Sequence, residues 1–406
     1  MKPRRLFEIT LGIITSVGGY LDVGAIATAA EAGASFRFAL LWVIALGTIC
    51  VIFLVEMSGR FAAVSKHTIR AAMRERLGAN FFVWTYVVES IVHILALASQ
   101  IGGICLALQL VTGIPFHRWA VPVALVVWLV LWWGTFKLIE RWIALLGLIT
   151  ISFAVGAVRS HPPLGAVARG FIQWAPPHDP ASYWFTAVSI LGALVSPYLF
   201  YFYSSGAIED RWDETHITSN RLIATVGMGF GSIMAMSILI CAAMVFHAHG
   251  VGVAEYEQIA LLLTPTLGRW GFYLFAASLG IACFGACLES ALTVAYELAQ
   301  GLGWNWGESV APAKASRFAS TYTIAIAVAA IPAALGVDPL ALTIFTMALT
   351  AVVLPAVLIP FLTLMNDEEL LGTHVNGRWS NGVVLAVSVL ASVLALVTIP
   401  LELFGG

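Results

Sequence analysis

Residues 11–30 have the sequence LGIITSVGGYLDVGAIATAA, in which Asp22 is the one charged residue. An apolar stretch of about 20 residues is long enough to cross a bilayer as a helix. A carboxylate at that depth is costly unless it faces a cavity, a partner or an ion. Gly18, Gly19 and Gly24 weaken the helix and free backbone carbonyls that can join the carboxylate around a cation. The stretch therefore predicts an interrupted membrane helix with an ion site, the alternative being an acid paired to a neighbouring helix for structural reasons.

The composition is that of a polytopic membrane protein. Of 406 residues, 60% are hydrophobic and only 10% are charged, whereas about 25% are charged in soluble domains. The five cysteines lie in apolar segments without a CxxC spacing, which favours buried thiols over disulfides or metal ligands. The sequence has no nucleotide-binding loop, HExxH or nucleophile motif. We therefore predict a transporter driven by gradients, with no enzymatic activity and no cofactor.

Hydropathy predicts an all-α membrane protein with about 11 transmembrane helices in a single transporter domain, 1–406. The predicted spans are 9–30, 38–58, 81–111, 119–136, 139–158, 184–206, 221–247, 269–300, 319–335, 338–365 and 382–402.

The distribution of basic residues predicts the orientation. With the N-terminus in the cytoplasm, the basic residues left outside are Arg37, Arg118, Arg159, Arg169 and Arg269, out of 20 in all. An excess of Lys and Arg on the inner side is the positive-inside pattern. We expect a cytoplasmic N-terminus and an external C-terminus. Because the chain is compact and shows no targeting extension, we expect it in the bacterial inner membrane.

The sequence also predicts the local structure of two loops. Residues 60–80 carry five cations and predict an amphipathic helix at the lipid surface. Residues 161–183 are rich in proline and polar side chains and predict an irregular external loop.

Span six contains a second predicted interruption, in the sequence GALVSPY at residues 192–198. Pro197 removes a backbone donor and clashes with the preceding turn, so the helix should kink or unwind there. Interrupted helices at corresponding places in two halves of a transporter mark its substrate site. Span one opens the first half and span six would open the second, although no sequence repeat connects the halves. A proline kink that serves packing is the alternative.

Other ionisable residues within spans are also candidates. Glu89 and His93 lie four residues apart, on one helix face. They could be an ion pair, a proton relay or a structural hydrogen-bonded pair. Glu289 lies deep in span eight and needs a partner or water, with a transport role and a structural role both open. Glu297 is predicted to be interfacial, and Gln100 an ordinary interhelical contact.

Three segments carry a resemblance to a known family. GYLDVGAIAT at residues 19–28 resembles the first-helix signature of NRAMP divalent-metal transporters, usually written DPGN. Residues 192–198 resemble the family's sixth-helix segment around MPH, and Leu354-Pro355 with Ile359-Pro360 its tenth helix. The resemblance spans nearly the whole chain. It implies a LeuT/APC-type fold of two inverted five-helix repeats (about 9–158 and 184–365) plus one extra helix (382–402), operating by alternating access.

The chain departs from the family pattern at several positions. The family's proline and asparagine in helix one are Val23 and Ala25, and its methionine and histidine in helix six are Ser196 and Tyr198. Its proton-handling acids in helix three are here alanine and serine, at positions 96 and 99. Loss of the thioether removes a preference for softer metals. Loss of the asparagine leaves a roomier, oxygen-lined site that suits an ion keeping part of its water, as Mg²⁺ does.

This pattern resembles the NRAMP-related magnesium transporters. The resemblance implies uptake of Mg²⁺, with Mn²⁺ also admitted, without proton coupling. The candidate ligand positions are Asp22, Ala25, Ala193 and Ser196. The candidate pocket or gate residues are Tyr20, Gly24, Pro197, Tyr198 and Met347, and the candidates for a charge relay or outer shell are Glu89, His93 and Glu289. The expected partners are the divalent cation and the lipid bilayer, with no nucleic acid and no obligatory protein partner.

Two other functions stay open. The same fold could carry a small organic cation, with Asp22 paired to an ammonium and tyrosines forming an aromatic wall. Alternatively, the protein could be a proton-coupled transition-metal importer that uses Glu89, His93 or Glu289 in place of the missing acids.

Overall fold

The computed structural model describes residues 21–133, 142–143, 145–253, 256–308 and 310–404, with side chains described as far as Leu401. Within these ranges the protein is helical and contains no strand. The helices of seven or more residues are α1 (Val23–Phe36), α2 (Leu41–Ser65), α3 (Ile69–Leu77), α4 (Ala79–Thr112), α5 (Ala120–Trp132), α6 (Ile151–Arg159), α7 (Leu164–Gly170), α8 (Pro180–Leu194), α9 (Pro197–Glu209), α10 (Ile217–Val245), α11 (Arg269–Leu302), α12 (Ser316–Ala334), α13 (Pro339–Met365) and α14 (Arg378–Phe404).

Eight helical segments in the described part are long and apolar enough to cross a membrane, or nine if the bent pair of α6 and α7 counts as one span. They match eight of the predicted spans, with no boundary more than seven residues from its predicted place. The other three predicted spans, 9–30, 119–136 and 139–158, run into residues outside the described ranges. Their described parts are α1, α5 and α6.

Local sequence sets the ends of the long helices. Asp179 and Asp338 cap α8 and α13 by accepting hydrogen bonds from backbone N–H groups, and a proline follows each cap at the first helical position. At their other ends, α4 and α11 stop at Gly113 and Gly303, which adopt φ of +72° and +69°. Only glycine takes these values without strain.

The interrupted helices occupy the middle of the bundle. α1 packs against α8 and α10, while α4 runs alongside α11. Both halves of the sixth span pack on α2, but their other neighbours differ: α8 packs on α13 and α14, whereas α9 packs on α11. The break therefore separates two halves that share one neighbouring helix and differ in the others.

Two loop predictions need correction. Residues 60–80 do contain a helix, α3, but its Arg70 is fully buried in the protein instead of lying at the lipid surface. The segment 161–183, predicted to be irregular, contains the two-turn helix α7. A helix of α7's length can be formed by packing and is not detectable from periodicity alone.

Candidate substrate site at the two helix breaks

Asp22 lies at the start of α1, where the chain changes from extended to helical. Its backbone is extended (φ −106°, ψ −177°), and its Oδ1 accepts a hydrogen bond from the Ala25 N–H at 2.9 Å. A carboxylate at this position is favoured by the free N–H groups and the positive end of the helix dipole. Only 2% of Asp22 is exposed. Asp22 therefore lies where a helix begins and its carboxylate is enclosed, while the part of the first span before Leu21 lies outside the described residues.

Gln100 of α4 holds the other side of the same carboxylate. Its Nε2 donates to Asp22 Oδ2 at 2.9 Å, and its Oε1 accepts from the Val23 N–H at 3.3 Å. One amide therefore connects the break to a neighbouring long helix. We had predicted an ordinary interhelical contact for Gln100, and this role was missed because a neutral amide has no charge to mark it.

The second break lies between α8 and α9. Ala193 would normally have its carbonyl bonded to the N–H four residues later, but that residue is Pro197, which has none. The Ser196 hydroxyl lies 3.1 Å from both the Ala193 and the Gly192 carbonyl oxygens, to which it can donate. The break thus presents a backbone carbonyl and a hydroxyl, both buried.

Met347 of α13 contacts both breaks. A Cβ added at Gly24 would lie 2.6 Å from the Met347 sulfur, and one added at Gly192 would lie 1.8 Å from the Met347 carbonyl oxygen. The contact at Gly24 is with the flexible end of a side chain, which can shift, whereas the contact at Gly192 is with backbone, so glycine is required at position 192. The two interruptions, 168 residues apart in the chain, therefore meet at one residue.

The remaining pocket candidates are partly placed. Tyr198 is buried in the first turn of α9. The Thr293 hydroxyl of α11 lies 3.5 Å from the carbonyl oxygen of Tyr198, beside the second break. The same hydroxyl donates to the carbonyl oxygen of Glu289 at 2.8 Å. Glu289 therefore lies one helical turn of α11 from the second break. Tyr20 lies outside the described residues.

The donors around the breaks are mostly oxygen atoms. In the described ranges, no three His, Cys, Asp or Glu side chains are grouped so that they could hold a metal ion. The site instead offers one carboxylate, a backbone carbonyl and a hydroxyl. An ion bound there would have to keep part of its water shell.

Glu89 and His93 belong to a separate group of charges, which we call the acid-rich cluster: Arg70, Glu89, His93 and Glu297. The Arg70 guanidinium pairs with Glu89 and, at 3.1 Å, with Glu297, whose other oxygen lies 3.3 Å from His93 Nδ1. Glu89 and His93 thus each bind a different partner. All four side chains are at most 2% exposed, so Glu297, which the sequence predicts to be interfacial, is enclosed by other parts of the protein.

The acid-rich cluster is joined to the second break. Arg70 lies over the Tyr201 ring of α9, 4.1 Å from its centroid, an arrangement favourable for a cation and an aromatic face. Along α4, His93 precedes Gln100 by seven residues, or about 10 Å of helix. The cluster therefore lies about two turns from the Asp22 contact and does not share its donors.

A buried acid at the start of α1 and the break between α8 and α9, both against Met347, are the arrangement of a secondary transporter built on inverted repeats. Solved structures agree with this fold. The manganese transporter of Eremococcus coleocola superposes with a TM-score of 0.77 at 19% identity, covering 97% of this chain and 87% of that one. The nucleobase-cation-symport-1 family transporter Mhp1 superposes with a TM-score of 0.59 at 16% identity, covering 97% and 92%.

Sequence comparison identifies the family. The family model described as natural resistance-associated macrophage protein-like matches residues 12–400. The divalent metal cation transporter MntH of Deinococcus radiodurans is 29% identical over 415 aligned positions, covering 97% of this chain and 89% of that protein. This protein belongs to the natural resistance-associated macrophage protein (NRAMP) family.

Proposed function

We propose that this protein is a membrane carrier for divalent metal cations that works by alternating access. The observation that carries the proposal is the Asp22 carboxylate, fixed by Ala25 and Gln100 at a helix break that meets the second break at Met347. The substrate class is supported by relatives that are divalent metal cation or manganese transporters. The ligands would be Asp22, the Ala193 carbonyl, the Ser196 hydroxyl and retained waters.

Uptake into proteoliposomes tests this function. Asp22→Asn keeps the side chain's size but removes its charge, so we expect uptake to fall by about 100-fold or more, the scale of losing a charged ligand. Asp213→Asn is the matched control. Asp213 is exposed between α9 and α10, and hydrogen bonds from Thr215 and His216 lower its pKa to about 2, so it too is ionised in the assay. Undiminished uptake by Asp22→Asn would refute the proposal. Failure of any divalent cation to enter would favour an organic cation.

Within this class we propose Mg²⁺ as the main substrate, with Mn²⁺ also accepted. The second break presents the Ser196 hydroxyl, a hard oxygen donor, and hard donors suit Mg²⁺. Mg²⁺ dehydrates reluctantly, and a site with one carboxylate leaves room for its waters. The chain's resemblance to the NRAMP-related magnesium transporters supports the same substrate.

One observation favours Mn²⁺ as the alternative. The Met347 sulfur lies close to Gly24, so a soft donor is present at the first break. We propose that this sulfur fills space against the glycine and is not a ligand. Met347→Leu should then leave the ratio of Mg²⁺ to Mn²⁺ uptake unchanged. A selective loss of Mn²⁺ uptake in this variant would instead show that the thioether binds metal.

We propose that uptake is not coupled to protons, because the family's acidic positions in the third helix are Ala96 and Ser99. The membrane potential alone favours entry of two charges by about 4.6 kcal/mol per 100 mV. One observation favours the alternative of proton-linked transport. In the acid-rich cluster two carboxylates share one arginine, and this arginine packs on Tyr201 of α9, the second half of the sixth span. An internal pH indicator separates the two. We expect no acidification during uptake and the same uptake in His93→Gln as in His117→Gln, a control on an exposed histidine. Acidification that is lost only in His93→Gln would establish coupling.

A further inference from the structure

A cavity of about 500 Å³ lies between α2, α10 and the segment that leads into α14. It is distant in sequence from both helix breaks and shares no residue with them. Its charged lining residues are Glu56, Arg60 and Arg221, which we call the arginine-rich cluster. All three belong to the side on which Lys and Arg are concentrated.

The arginine-rich cluster has one more positive than negative charge. Arg60 Nε lies 3.0 Å and Arg221 Nε 3.3 Å from the same Glu56 oxygen. The terminal nitrogens of Arg60 are also occupied, one by the His374 carbonyl and one by Asn376 Oδ1 at 2.7 Å. Two guanidinium groups thus share one carboxylate.

Arg221 is the part of this cluster that remains available. It contacts Glu56 through Nε alone, its side chain is 67% exposed, and its two terminal nitrogens have no partner in the described ranges. A guanidinium presents these nitrogens as a planar fork that matches a phosphate. Ser380, in the first turn of α14, and Thr373 line the same cavity. Hydroxyls and the positive end of a helix dipole both favour an anion.

The surroundings of the cavity are apolar and face outward. Ile52 and Phe53 line it. Ile49, Leu222 and Val226 continue from it along α2 and α10 with 41–49% of each exposed. Arg60 lies five residues before the end of α2, or about 8 Å along the helix, so it is near the end of a membrane-spanning helix, where lipid headgroups are expected. A ligand with a phosphate and acyl chains would satisfy both parts of this surface.

We propose that this cavity binds the headgroup of an anionic phospholipid, with Arg221 on the phosphate and the acyl chains along α2 and α10. Basic pockets between transmembrane helices are suited to such headgroups. This role is separate from the proposed transport function, because it concerns binding at another place in the fold.

Thermal unfolding of the purified full-length protein in a neutral detergent tests the proposal. The protein is titrated with short-chain phosphatidylglycerol, with phosphatidylcholine of the same chain length, and with inorganic phosphate. A ligand that binds the native state raises the unfolding midpoint in a saturable way and gives an apparent Kd. We expect phosphatidylglycerol to bind at least about tenfold more tightly than the other two, the scale of a charge-assisted hydrogen bond.

Three variants locate the effect. Arg221→Gln removes the available charge, and Thr373→Trp fills the cavity without changing its charge, so each should raise the Kd for phosphatidylglycerol about tenfold. Arg317→Gln, at an exposed arginine of α12 away from the cavity, should leave it unchanged. Equal binding of both lipids, or unchanged binding in both cavity variants, would overturn the proposal. A loss of phosphatidylglycerol affinity in Arg317→Gln as large as that in Arg221→Gln would also overturn the proposal. If inorganic phosphate saturated as readily as the lipid, the site would be one for a soluble anion.

Discussion

The acid-rich and arginine-rich clusters are both groups of two like charges around one opposite charge, with the signs exchanged. In the first, Glu89 and Glu297 share Arg70, and all three are almost completely buried. In the second, Arg60 and Arg221 share Glu56, and Arg221 is two-thirds exposed. In the exposed cluster, water can solvate the excess positive charge and an anionic lipid can neutralise it.

The buried cluster has no such access to solvent. An uncompensated ion in a protein interior costs several kcal/mol. We therefore expect its excess negative charge to be balanced by a proton held within the cluster. An excess of one charge thus has different consequences in the two clusters. In the buried acid-rich cluster we expect it to hold a proton, and in the exposed arginine-rich cluster we expect it to bind an anion.

The largest expected effect comes from removing the central charge of the buried cluster. Arg70→Met would leave two buried carboxyl groups without their cation. We expect the free energy of unfolding to fall by about 3–5 kcal/mol, as for other broken buried ion pairs. Arg221→Met should change it by no more than about 1 kcal/mol. Unfolding of both variants in mixed micelles makes the comparison, and similar losses would show that burial does not separate the clusters.

A second substitution should partly rescue the first. In Arg70→Met with Glu89→Gln, the acid that lost its partner is also neutralised, so the two effects should not add. We expect the double variant to be about 1–3 kcal/mol more stable than the sum of the single variants predicts. A double-mutant cycle in the same micelles measures this coupling. Additive losses would mean that Arg70 acts mainly through its packing against Tyr201.

The proton in the buried cluster should be visible as a pH dependence of stability. Above about pH 6.5 an unfolded chain has neutral His and ionised Glu, whereas we expect the native cluster to hold one more proton. The native state then binds more protons than the unfolded state, so stability should fall as pH rises, by up to about 1.4 kcal/mol per pH unit. Glu297→Gln removes the excess charge and should flatten this slope. If stability changed with pH equally in the original protein and in Glu297→Gln, the cluster would not hold a proton.

The smallest effect is expected in the exposed cluster without lipid. In neutral detergent, Arg221→Gln should alter the free energy of unfolding by less than about 0.5 kcal/mol, because its bond to Glu56 is largely solvated. Raising the salt concentration to 1 M should reduce even this difference, since the screening length falls to about 3 Å. A large difference that persists in salt would show that Arg221 has a structural role.

The fold could be predicted from the sequence because its signals are local. Long apolar stretches mark the spans, Asp22 marks the start of α1, and Pro197 marks the interruption of the sixth span. Each acts on the backbone within one helical turn, so its effect does not depend on distant contacts.

The charge clusters could not be predicted, because their contacts are between residues far apart in the chain. Arg70 and Glu297 are separated by more than 200 residues and pair across α3 and α11. Hydropathy placed one in a loop and the other at a helix end, where charged side chains usually meet water. The role of Gln100 was hidden for the same reason, since only the folded chain brings it to Asp22.

The double hold on Asp22 has a consequence for the speed of the carrier. Each carboxylate oxygen already accepts one hydrogen bond from the protein, so an arriving ion finds only the remaining lone pair on each oxygen and a charge partly satisfied by these donors. We expect a low affinity and rapid release as a result. A carrier of this kind would be saturated only by an abundant ion. It would have a lower affinity and a higher turnover than a carrier that binds its ion tightly.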